Sequence, residues 1–445
     1  MKKIILFMIL ICFSIYGKNT GTLTDDNVLL DSLQYKTFLY FINEVNYENG
    51  LVKDRSTDFS PASIAATGFA IPVWAIGVEN RWIEREKAVN LTLNLLKFLL
   101  KSDQSINDSA TGYMGFYYHF LDMKTGKRMW KSELSSIDTG LLLAGIRFAV
   151  QYYDKDTPSE KLLRQLADSV TNKVDWNFFC INKEGEYKST IAMEWDPEKQ
   201  LSNFGWKGYN EALIMYIIAA GSNYKNIEEG YDTWLSSYRV EEPYKGLKHI
   251  LFPPLFGHQF SHMFVDFRDI HDKYTKELGI TYFENSRRAV LTQQQYSIEN
   301  PYGYKGYDSL TWGITACDGP GEKYNFEKYK FLWYAGRGSS GSIFNYFDDG
   351  TIAPTAAASS IVFAPEIVIP TIKNILHKYG KEGLWGKYGF KDAFNPTANW
   401  IGTDYLGIDQ GPIVIMIENY KNGFVWKYTM KDPIIKKGLE KLFNY

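Results

Sequence analysis

Residues 206–211, Trp-Lys-Gly-Tyr-Asn-Glu, place two aromatic side chains, an amide and a carboxylate directly before an apolar run, residues 212–220. That run predicts a buried helix. Aromatic faces bind the C–H groups of a sugar ring, and a carboxyl group in apolar surroundings has a pKa raised toward that of a general acid. We therefore predict Glu211 as a catalytic acid, with Trp206 and Tyr209 stacking on sugar. The alternative is a helix-start glutamate that accepts hydrogen bonds from free backbone N–H groups.

A second carboxylate occupies an equivalent position. Asp138 lies in Ser135-Ser136-Ile137-Asp138-Thr139-Gly140, just before the apolar run 141–150. It is either a cap or first-turn residue of that helix, or a carboxylate at the mouth of a cleft. Asp409 and Gln410 also precede an apolar helix, and we interpret them as capping residues. Glu194 and Asp196 are either a pair of cleft carboxylates or part of a solvated turn, and we favour the turn.

Further polar and aromatic residues could contact a sugar. Asp318 lies in an Asp-Gly-Pro sequence, which is typical of a turn, but Trp312 stands six residues earlier. Asp404 is close in sequence to two aromatic residues. The complete set of predicted substrate contacts, beyond Trp206 and Tyr209, is Arg55, His258, Gln259, Trp312, Asp318, Arg337, Trp400 and Asp404.

Metal and cofactor chemistry is not indicated. His258 and His262 are four residues apart and share a helix face, but no carboxylate or cysteine completes a ligand set at suitable spacing. Contact with a polar ligand and packing in the core are both open for these histidines. No nucleophile-elbow, Walker or dinucleotide-binding pattern occurs. We therefore expect no metal and no cofactor.

Charge and aromatic content narrow the class of partner. Lys and Arg number 49 against 51 Asp and Glu, which gives a net charge of −2. This balance does not favour nucleic acid or an anionic surface. Aromatic residues make up 16% of the chain, with 32 Tyr and 12 Trp, side chains that suit half-apolar, half-wet surfaces such as carbohydrate clefts. An oligo- or polysaccharide is the expected partner.

The first 17 residues read as a secretory signal: Met1-Lys2-Lys3, an apolar stretch, then a small residue at a cleavage position. Ile11 precedes Cys12 where a lipoprotein signal needs a small residue, so we expect soluble export to the periplasm or beyond. No other stretch is long and apolar enough to span a bilayer. Cys180 and Cys317 remain after cleavage, and one disulfide between them is possible but not required.

Helical periodicity recurs along the chain with short breaks and little strand-like alternation. Eleven or so helices without a linker favour a single domain, residues 18–445, with an all-α (α/α)6 toroid of about twelve helices and long Gly- and aromatic-rich loops over a central cleft. A helix-hairpin solenoid is the alternative, although no fixed internal period is visible. The long irregular region 299–363 predicts a functional loop. A short hairpin is predicted at 115–121 and 127–130. Helices are predicted at 33–45, 61–76, 84–102, 137–153, 159–173, 209–221, 256–274, 282–298, 365–379, 411–420 and 432–443.

These motifs resemble the glycoamylase-like domain family, in particular glycoside hydrolase family 144, the bacterial β-1,2-glucanases. The resemblance implies an (α/α)6 toroid and hydrolysis of β-1,2-glucan with inversion, with Glu211 as the acid and Asp138 as the candidate base. Cys317 stands where the family pattern predicts a serine. The matching stretches, in chain order, are Gly50-Leu51-Val52-Lys53-Asp54-Arg55, Ser60-Pro61-Ala62-Ser63-Ile64-Ala65-Ala66-Thr67-Gly68, Ser136-Ile137-Asp138-Thr139-Gly140, Trp206-Lys207-Gly208-Tyr209-Asn210-Glu211, Trp312-Gly313-Ile314-Thr315-Ala316-Cys317-Asp318-Gly319-Pro320, Asp349-Gly350-Thr351-Ile352-Ala353-Pro354-Thr355-Ala356-Ala357 and Leu406-Gly407-Ile408-Asp409-Gln410-Gly411-Pro412.

Two other classes of function are weighed beside the hydrolase. A polysaccharide lyase on a similar toroid would use a Tyr or His base near an arginine that neutralises a uronic acid, and near-neutral charge speaks against such an acidic substrate. A non-catalytic glycan-binding protein of the uptake type would be lipid-anchored, and the signal lacks the motif for that. We expect a monomeric hydrolase that releases short oligosaccharides such as sophorose.

Overall fold

A computed structural model describes residues 25–443. The predicted signal peptide, residues 1–17, lies outside the described residues. Its helices are α1 Asp25–Phe38, α2 Tyr40–Asn43, α3 Ile64–Glu79, α4 Arg85–Lys101, α5 Ser136–Tyr152, α6 Pro158–Lys173, α7 Leu213–Gly221, α8 Ile227–Leu235, α9 Phe256–Phe264, α10 Lys273–Leu278, α11 Tyr282–Glu299, α12 Pro354–Ala358, α13 Pro365–Tyr379, α14 Gly407–Asn422, α15 Phe424–Thr429 and α16 Pro433–Leu442.

The strands are short, two or three residues each. They are β1 Ala62–Ser63, β2 Gly112–Tyr113, β3 Phe116–Tyr118, β4 Phe120–Leu121, β5 Leu134–Ser135, β6 Glu194–Asp196, β7 Gln200–Leu201, β8 Val240–Glu241, β9 His249–Ile250, β10 Trp385–Gly386, β11 Gly389–Phe390, β12 Phe394–Asn395 and β13 Trp400–Ile401. Five of them form one antiparallel sheet in the order β2-β3-β5-β6-β7. The sequence predicted the β3–β4 region, whereas the pairing of β5 with β6 was not visible in it.

An inner ring of helices closes on itself. In chain order α3 packs on α5, α5 on α7, α7 on α9, α12 on α14, and α14 returns to α3. The step from α9 to α12 is made by Gln259, whose Nε2 donates to the carbonyl oxygen of Ala356 at 2.8 Å. Ring closure excludes the open solenoid and confirms the predicted toroid.

Each inner helix carries an outer partner. Helices α4, α6, α11, α13 and α1 pack on α3, α5, α9, α12 and α14 respectively. The outer partner of α7 is α16, from the end of the chain, rather than the next helix in sequence. The inner helices are therefore surrounded on all sides, which explains why α7 is apolar around its whole circumference and fully buried.

Two glycines allow the inner helices α3 and α5 to approach closely. A Cβ placed on Gly145 would lie 2.1 Å from the carbonyl oxygen of Gly68, and one placed on Gly68 would lie 2.6 Å from the Cα of Leu142. Any larger residue at either position would force the backbones apart. The small residues thus fix the tightest contact in the ring.

Two inner helices, α3 and α5, begin directly after short strands. Ser63, the last residue of β1, caps α3 by accepting from the N–H of Ala66. Ser135, the last residue of β5, caps α5 by accepting from the N–H of Asp138. Because strand and cap are joined in this way, the first turns of both helices are fixed at one end of the ring.

The helix predicted over 256–274 is wrong. Helix α9 ends at Phe264, and its C-cap Val265 has an extended backbone. Asp272 then starts α10 through a capping box with Thr275. The helix predicted over 33–45 is also wrong, because the segment contains parts of two helices, α1 and α2, separated at Leu39. The helix predicted over 365–379 has the predicted ends, and the other predicted helices are present with shifted ends.

Two further findings concern the whole described chain. No helix within residues 25–443 has both the length and the apolar character needed to cross a membrane. Cys180 and Cys317 are separate buried thiols.

Candidate active site

A cavity of about 640 Å³ opens at the end of the toroid where the inner helices begin. Its wall combines carboxylates, one arginine, one histidine and several aromatic side chains, a composition that suits a neutral sugar chain. The residues lining it are Asp54, Arg55, Ser63, His119, Phe120, Glu133, Ser135, Ile137, Asp138, Leu141, Met193, Glu194, Ser202, Phe204, Trp206, Glu211, Phe256, Phe260, Ala316, Tyr334, Leu406, Ile408 and Asp409.

Glu211 lies in the turn before α7, and not inside the helix as predicted. The helix-start N–H of Ala212 is already satisfied by Oδ1 of Asn210 at 2.9 Å. Oε2 of Glu211 is buried and has no hydrogen-bond partner among the described residues. Burial, with a smaller contribution from the charge of Asp138, raises the pKa of Glu211 to about 7. The carboxyl group is thus free to act on a ligand and holds a proton near neutral pH.

Asp138 lies on the cavity wall in the first turn of α5, beside a histidine that the sequence analysis did not select. Its Oδ2 is 3.8 Å from Nδ1 of His119, and the same nitrogen lies 2.7 Å from Oε1 of Glu133. Burial alone would lower the pKa of His119, but the two acids outweigh it and raise that pKa to about 9. Burial raises the pKa of Asp138, and the His119 cation opposes this rise. The cation therefore favours an ionised Asp138, as a base requires.

Asp409 also faces the cavity, and the interpretation of it as a cap is wrong. The N-cap of α14 is Leu406, and no side chain caps that helix. Oδ2 of Asp409 and Oδ1 of Asp392 are buried, and no N–H or O–H of the described residues reaches either atom. Burial and mutual repulsion raise the pKa of Asp409 well above its usual range, and burial with the charge of Asp318 raises that of Asp392 to about 7. A single proton shared between the two carboxyl groups would give a hydrogen bond to both unpartnered oxygens and would relieve the repulsion between the charges.

Arg55, on the cavity wall, forms ion pairs with three carboxylates. Its Nη1 contacts Oδ2 of Asp318 at 3.1 Å and Oδ2 of Asp404 at 3.2 Å, and its Nε contacts Asp54 at 3.4 Å. The backbone N–H of Asp318 donates to Asp392 at 2.7 Å, which joins this cluster to the carboxyl pair. Three predicted substrate contacts, Arg55, Asp318 and Asp404, are thus brought together, with Arg55 itself on the cavity wall.

Trp206 lies on the cavity wall, whereas Tyr209 does not. The indole Nε1 of Trp206 donates to Oγ of Ser136 at 2.9 Å, which fixes the ring beside the start of α5. Tyr209 turns into the core, where it stacks on Tyr282 with ring centroids 5.5 Å apart and its hydroxyl pairs with Ser286. The prediction that Tyr209 stacks on sugar is wrong because its ring and hydroxyl are both engaged inside the protein.

His258 and Gln259 are also interior residues rather than substrate contacts. Both lie on α9, which neighbouring helices surround, so their polar atoms bind protein. Nε2 of His258 lies 3.1 Å from the carbonyl oxygen of Phe252, and Gln259 bonds the backbone of α12. Burial lowers the pKa of His258 well below its usual range. Of the open alternatives for the HxxxH motif, the structure favours packing.

Three further predicted contacts do not reach the cavity. Arg337 is fully buried and forms a two-pronged ion pair with Asp349, with Nε–Oδ1 and Nη2–Oδ2 both at 2.9 Å. It also donates to the carbonyl of Cys317 at 2.6 Å, so it organises the long 299–363 loop from within. Trp312 is fully buried in the core. Trp400 is half-buried in the β12–β13 hairpin and is absent from the cavity wall.

Several wall residues were not selected as site residues in the sequence analysis. Glu194 belongs to β6 and lines the cavity, so its interpretation as a solvated turn residue is wrong. His119 and Glu133 flank β4 and β5, where isolated polar residues give no periodic signal. The position of Asp409 could have been predicted from the sequence, because Asp409 lies in the first turn of an apolar inner helix, as Asp138 does. The long loop contributes Ala316 and Tyr334 to the wall.

Comparison with known proteins adds the family. The model of the glycoamylase family, described as putative glucoamylase, matches residues 203–433, more than half of the chain. The chain belongs to the glycoamylase family. It is 31% identical to a putative glucoamylase from Bacteroides uniformis, whose crystal structure superposes with a TM-score of 0.80 over 95% of this chain and 99% of that one.

Two other relatives of this glycoamylase family member have more specific names. An endo-β-1,2-glucanase from Chitinophaga pinensis, solved with sophorotriose and glucose, is 28% identical with a TM-score of 0.81, covering 95% of this chain and 99% of that one. An exo β-1,2-glucooligosaccharide sophorohydrolase acting at the non-reducing end, from Parabacteroides distasonis, is 29% identical over 95% of this chain. This chain spans 58% of the length of that curated relative.

Proposed function

We propose that this glycoamylase family member is a glycoside hydrolase that cleaves β-1,2-glucan to short oligosaccharides such as sophorose, with inversion of configuration. The observation that carries the proposal is Glu211: a cavity-lining carboxyl group with an unpartnered oxygen and a pKa of about 7. The substrate class rests on the two relatives named for activity on β-1,2-linked glucans, from Parabacteroides distasonis and Chitinophaga pinensis. The mixed aromatic and polar wall supports a neutral sugar polymer.

In the proposed reaction Glu211 donates its proton to the glycosidic oxygen while the bond from that oxygen to the anomeric carbon breaks. A water molecule attacks the anomeric carbon from the opposite face, and its proton passes to a carboxylate. Asp138 is the proposed base, because it lines the same cavity as Glu211 and the His119 cation opposes the burial that raises its pKa. For inversion the two carboxyl groups should stand roughly 6.5–9.5 Å apart, leaving room for the water. The products are two shorter glucans, and the acid and base are reset by proton exchange with solvent.

The Asp392–Asp409 pair gives a second candidate for the base. Asp409 lines the cavity, and its unpartnered Oδ2 could accept a proton once the shared proton resides on Asp392. The export of the protein, its action in the periplasm or outside the cell, and its monomeric state belong to the same proposal. Export is supported by the sequence of residues 1–17 alone.

The test is incubation of the purified chain with linear β-1,2-glucan, with products followed by chromatography and their anomeric form by NMR. We expect sophorose-series products in the α form and a strong preference over β-1,3-, β-1,4- and α-1,4-glucans. A changed linkage moves several hydroxyls at once, and sites that bind a hydroxyl can discriminate by about 10⁴–10⁵-fold. Comparable kcat/KM on starch or a β-1,3-glucan would refute the substrate assignment. Products absorbing in the ultraviolet would identify a lyase, and any turnover would exclude a non-catalytic binding protein.

A further inference from the structure

A tryptophan stands exposed beside the cavity on a rigidly held loop. The Trp130 side chain is 66% exposed, a high value for the largest apolar side chain. Its ring packs edge-on against Phe120, with centroids 5.5 Å apart and planes at 63°. Phe120 lines the cavity and stacks on His119 at 3.9 Å and 15°. Three rings therefore run without interruption from the cavity wall to the outer surface.

The backbone that presents Trp130 is strained. Trp130 and the next residue, Lys131, both have φ of 54°, in the left-handed region that bulky residues rarely adopt. Such conformations are energetically unfavourable for residues other than glycine and persist only where the surroundings impose them. Relaxation of this loop would be expected unless other contacts held it in place.

Arg128 supplies those contacts. Its Nε donates to the carbonyl oxygen of Ser132 at 2.6 Å and its Nη2 to that of Lys131 at 2.9 Å, so the guanidinium group closes the loop around Trp130. The same group pairs with both oxygens of Glu198 at 3.1 Å and lies 4.6 Å from the ring centre of Tyr118. The loop is thus fixed while the indole it carries faces solvent, as expected of a preformed binding platform.

We propose that Trp130 forms an additional sugar-binding subsite, at which its indole face stacks on a glucosyl unit of the chain whose reacting bond lies in the cavity. The continuity through Phe120 supports this occupant, because a glucan leaving the cavity along that wall passes from one ring to the next. The inference rests on the proposed function. The platform determines how well long glucans are used relative to short ones.

The experiment compares kcat/KM for linear β-1,2-glucan and for the shortest oligosaccharide that the protein cleaves. Trp130→Gly removes the ring and suits the left-handed backbone, so folding is retained and checked by thermal melting. Trp130→Phe keeps an aromatic face. Tyr420→Ala, on an exposed residue near the far end of α14, is the matched control.

We expect Trp130→Gly to lower kcat/KM on the long glucan by about 3- to 10-fold, the range typical of a single aromatic contact, and to leave the shortest substrate within twofold of wild type. Trp130→Phe should retain most of the long-chain activity, and Tyr420→Ala should change neither. Equal losses on both substrates, or no loss on either, would overturn the subsite. A wild-type protein without activity on β-1,2-glucan would instead refute the proposed function.

Discussion

The hydroxyl group of Ser261 on α9 donates to the backbone carbonyl of Glu211 at 3.0 Å and accepts from the N–H of Ile214 at 3.0 Å. One side chain therefore ties the turn that carries Glu211 to the first turn of α7. Ser261 holds the backbone of Glu211, while the carboxyl oxygen Oε2 has no hydrogen-bond partner among the described residues. This arrangement separates the group that positions the acid from the acid itself.

Ser261→Ala should lower kcat by about 10-fold with little change in KM, because small displacements of a reacting group are costly in rate. It should also destabilise the fold by about 1 kcal/mol, since the buried N–H of Ile214 loses its acceptor. Steady-state kinetics and thermal melting measure both effects. Ser236→Ala, at the exposed end of α8, serves as the control. An unchanged kcat in a protein with lowered stability would reduce Ser261 to a purely structural role.

Glu211→Gln should lose about 10²–10⁴-fold in turnover, the usual contribution of general acid catalysis. Retention of more than half of wild-type turnover would remove Glu211 from the mechanism.

The same variant should be more stable than wild type at alkaline pH. Burial raises the pKa of Glu211 from 4.5 to about 7, so the folded state binds this proton more tightly than the unfolded state does. Wild-type stability from this group is therefore lost as pH rises from 4.5 to 7, and Gln avoids the loss. We expect a gain of roughly 1–2 kcal/mol above pH 8, after allowance for solvent in the cavity. Denaturant unfolding at pH 5 and pH 8 measures the difference, which should be several-fold smaller at the lower pH.

The pH dependence of activity follows from the same group. Glu211 acts only when protonated, so kcat/KM on β-1,2-glucan should fall as pH rises through about 7. The residual activity of Glu211→Gln should lack this alkaline limb. A wild-type profile that stays level to pH 9 would contradict the proposed acid.

Asp138→Asn and Asp409→Asn distinguish the two candidate bases. Asp138→Asn should lose at least about 10²-fold in turnover. Added azide should restore part of the activity, because this small anion can take the place of the attacking water and attacks without a base. The product would be an α-configured glucosyl azide. The second mimics the protonated member of the Asp392–Asp409 pair and should lose about 10-fold or less. The reverse pattern would assign the base to Asp409.

Metal removal should leave activity intact. Among the described residues, His119, Glu133 and Asp138 offer ligand atoms within 4.8 Å of one another. The protonated His119 already pairs with the two acids, whose charges help to raise its pKa to about 9, so a cation would have to displace that proton. Activity after exhaustive treatment with EDTA should equal that of untreated protein. Loss of activity, with recovery on adding one divalent ion, would make these residues metal ligands.

The sequence predicted those features that depend on neighbours in the chain. The ring of helices follows from repeated apolar runs, and the positions of Glu211 and Asp138 follow from their place before two such runs. The orientations of Trp206 and Tyr209 could not be predicted from neighbouring residues in the sequence. They are three residues apart, yet Ser136 holds one at the cavity and Ser286 holds the other in the core.

Contacts between distant segments could not be predicted. Arg55 was expected to bind sugar, but its pairing with Asp318 and Asp404 joins residues 263 and 349 positions apart. The burial of Arg337 likewise depends on its ion pair with Asp349 and on the path of the 299–363 loop, whose sequence has no helical or strand periodicity. Polar residues on α9 seemed available to a ligand because a sequence does not show that helices surround α9 on every side.

Closure of the ring between α3 and α14 has a consequence for biosynthesis. The first inner helix, α3, is translated long before α14, the helix that closes the ring, and α16, which covers α7, follows α14. Until then the nascent chain exposes apolar faces of α3 and α7 that have no partner. The ring therefore cannot close until α14 and α16 have both been synthesised, and chaperones that bind apolar helices should engage the incomplete ring during that interval.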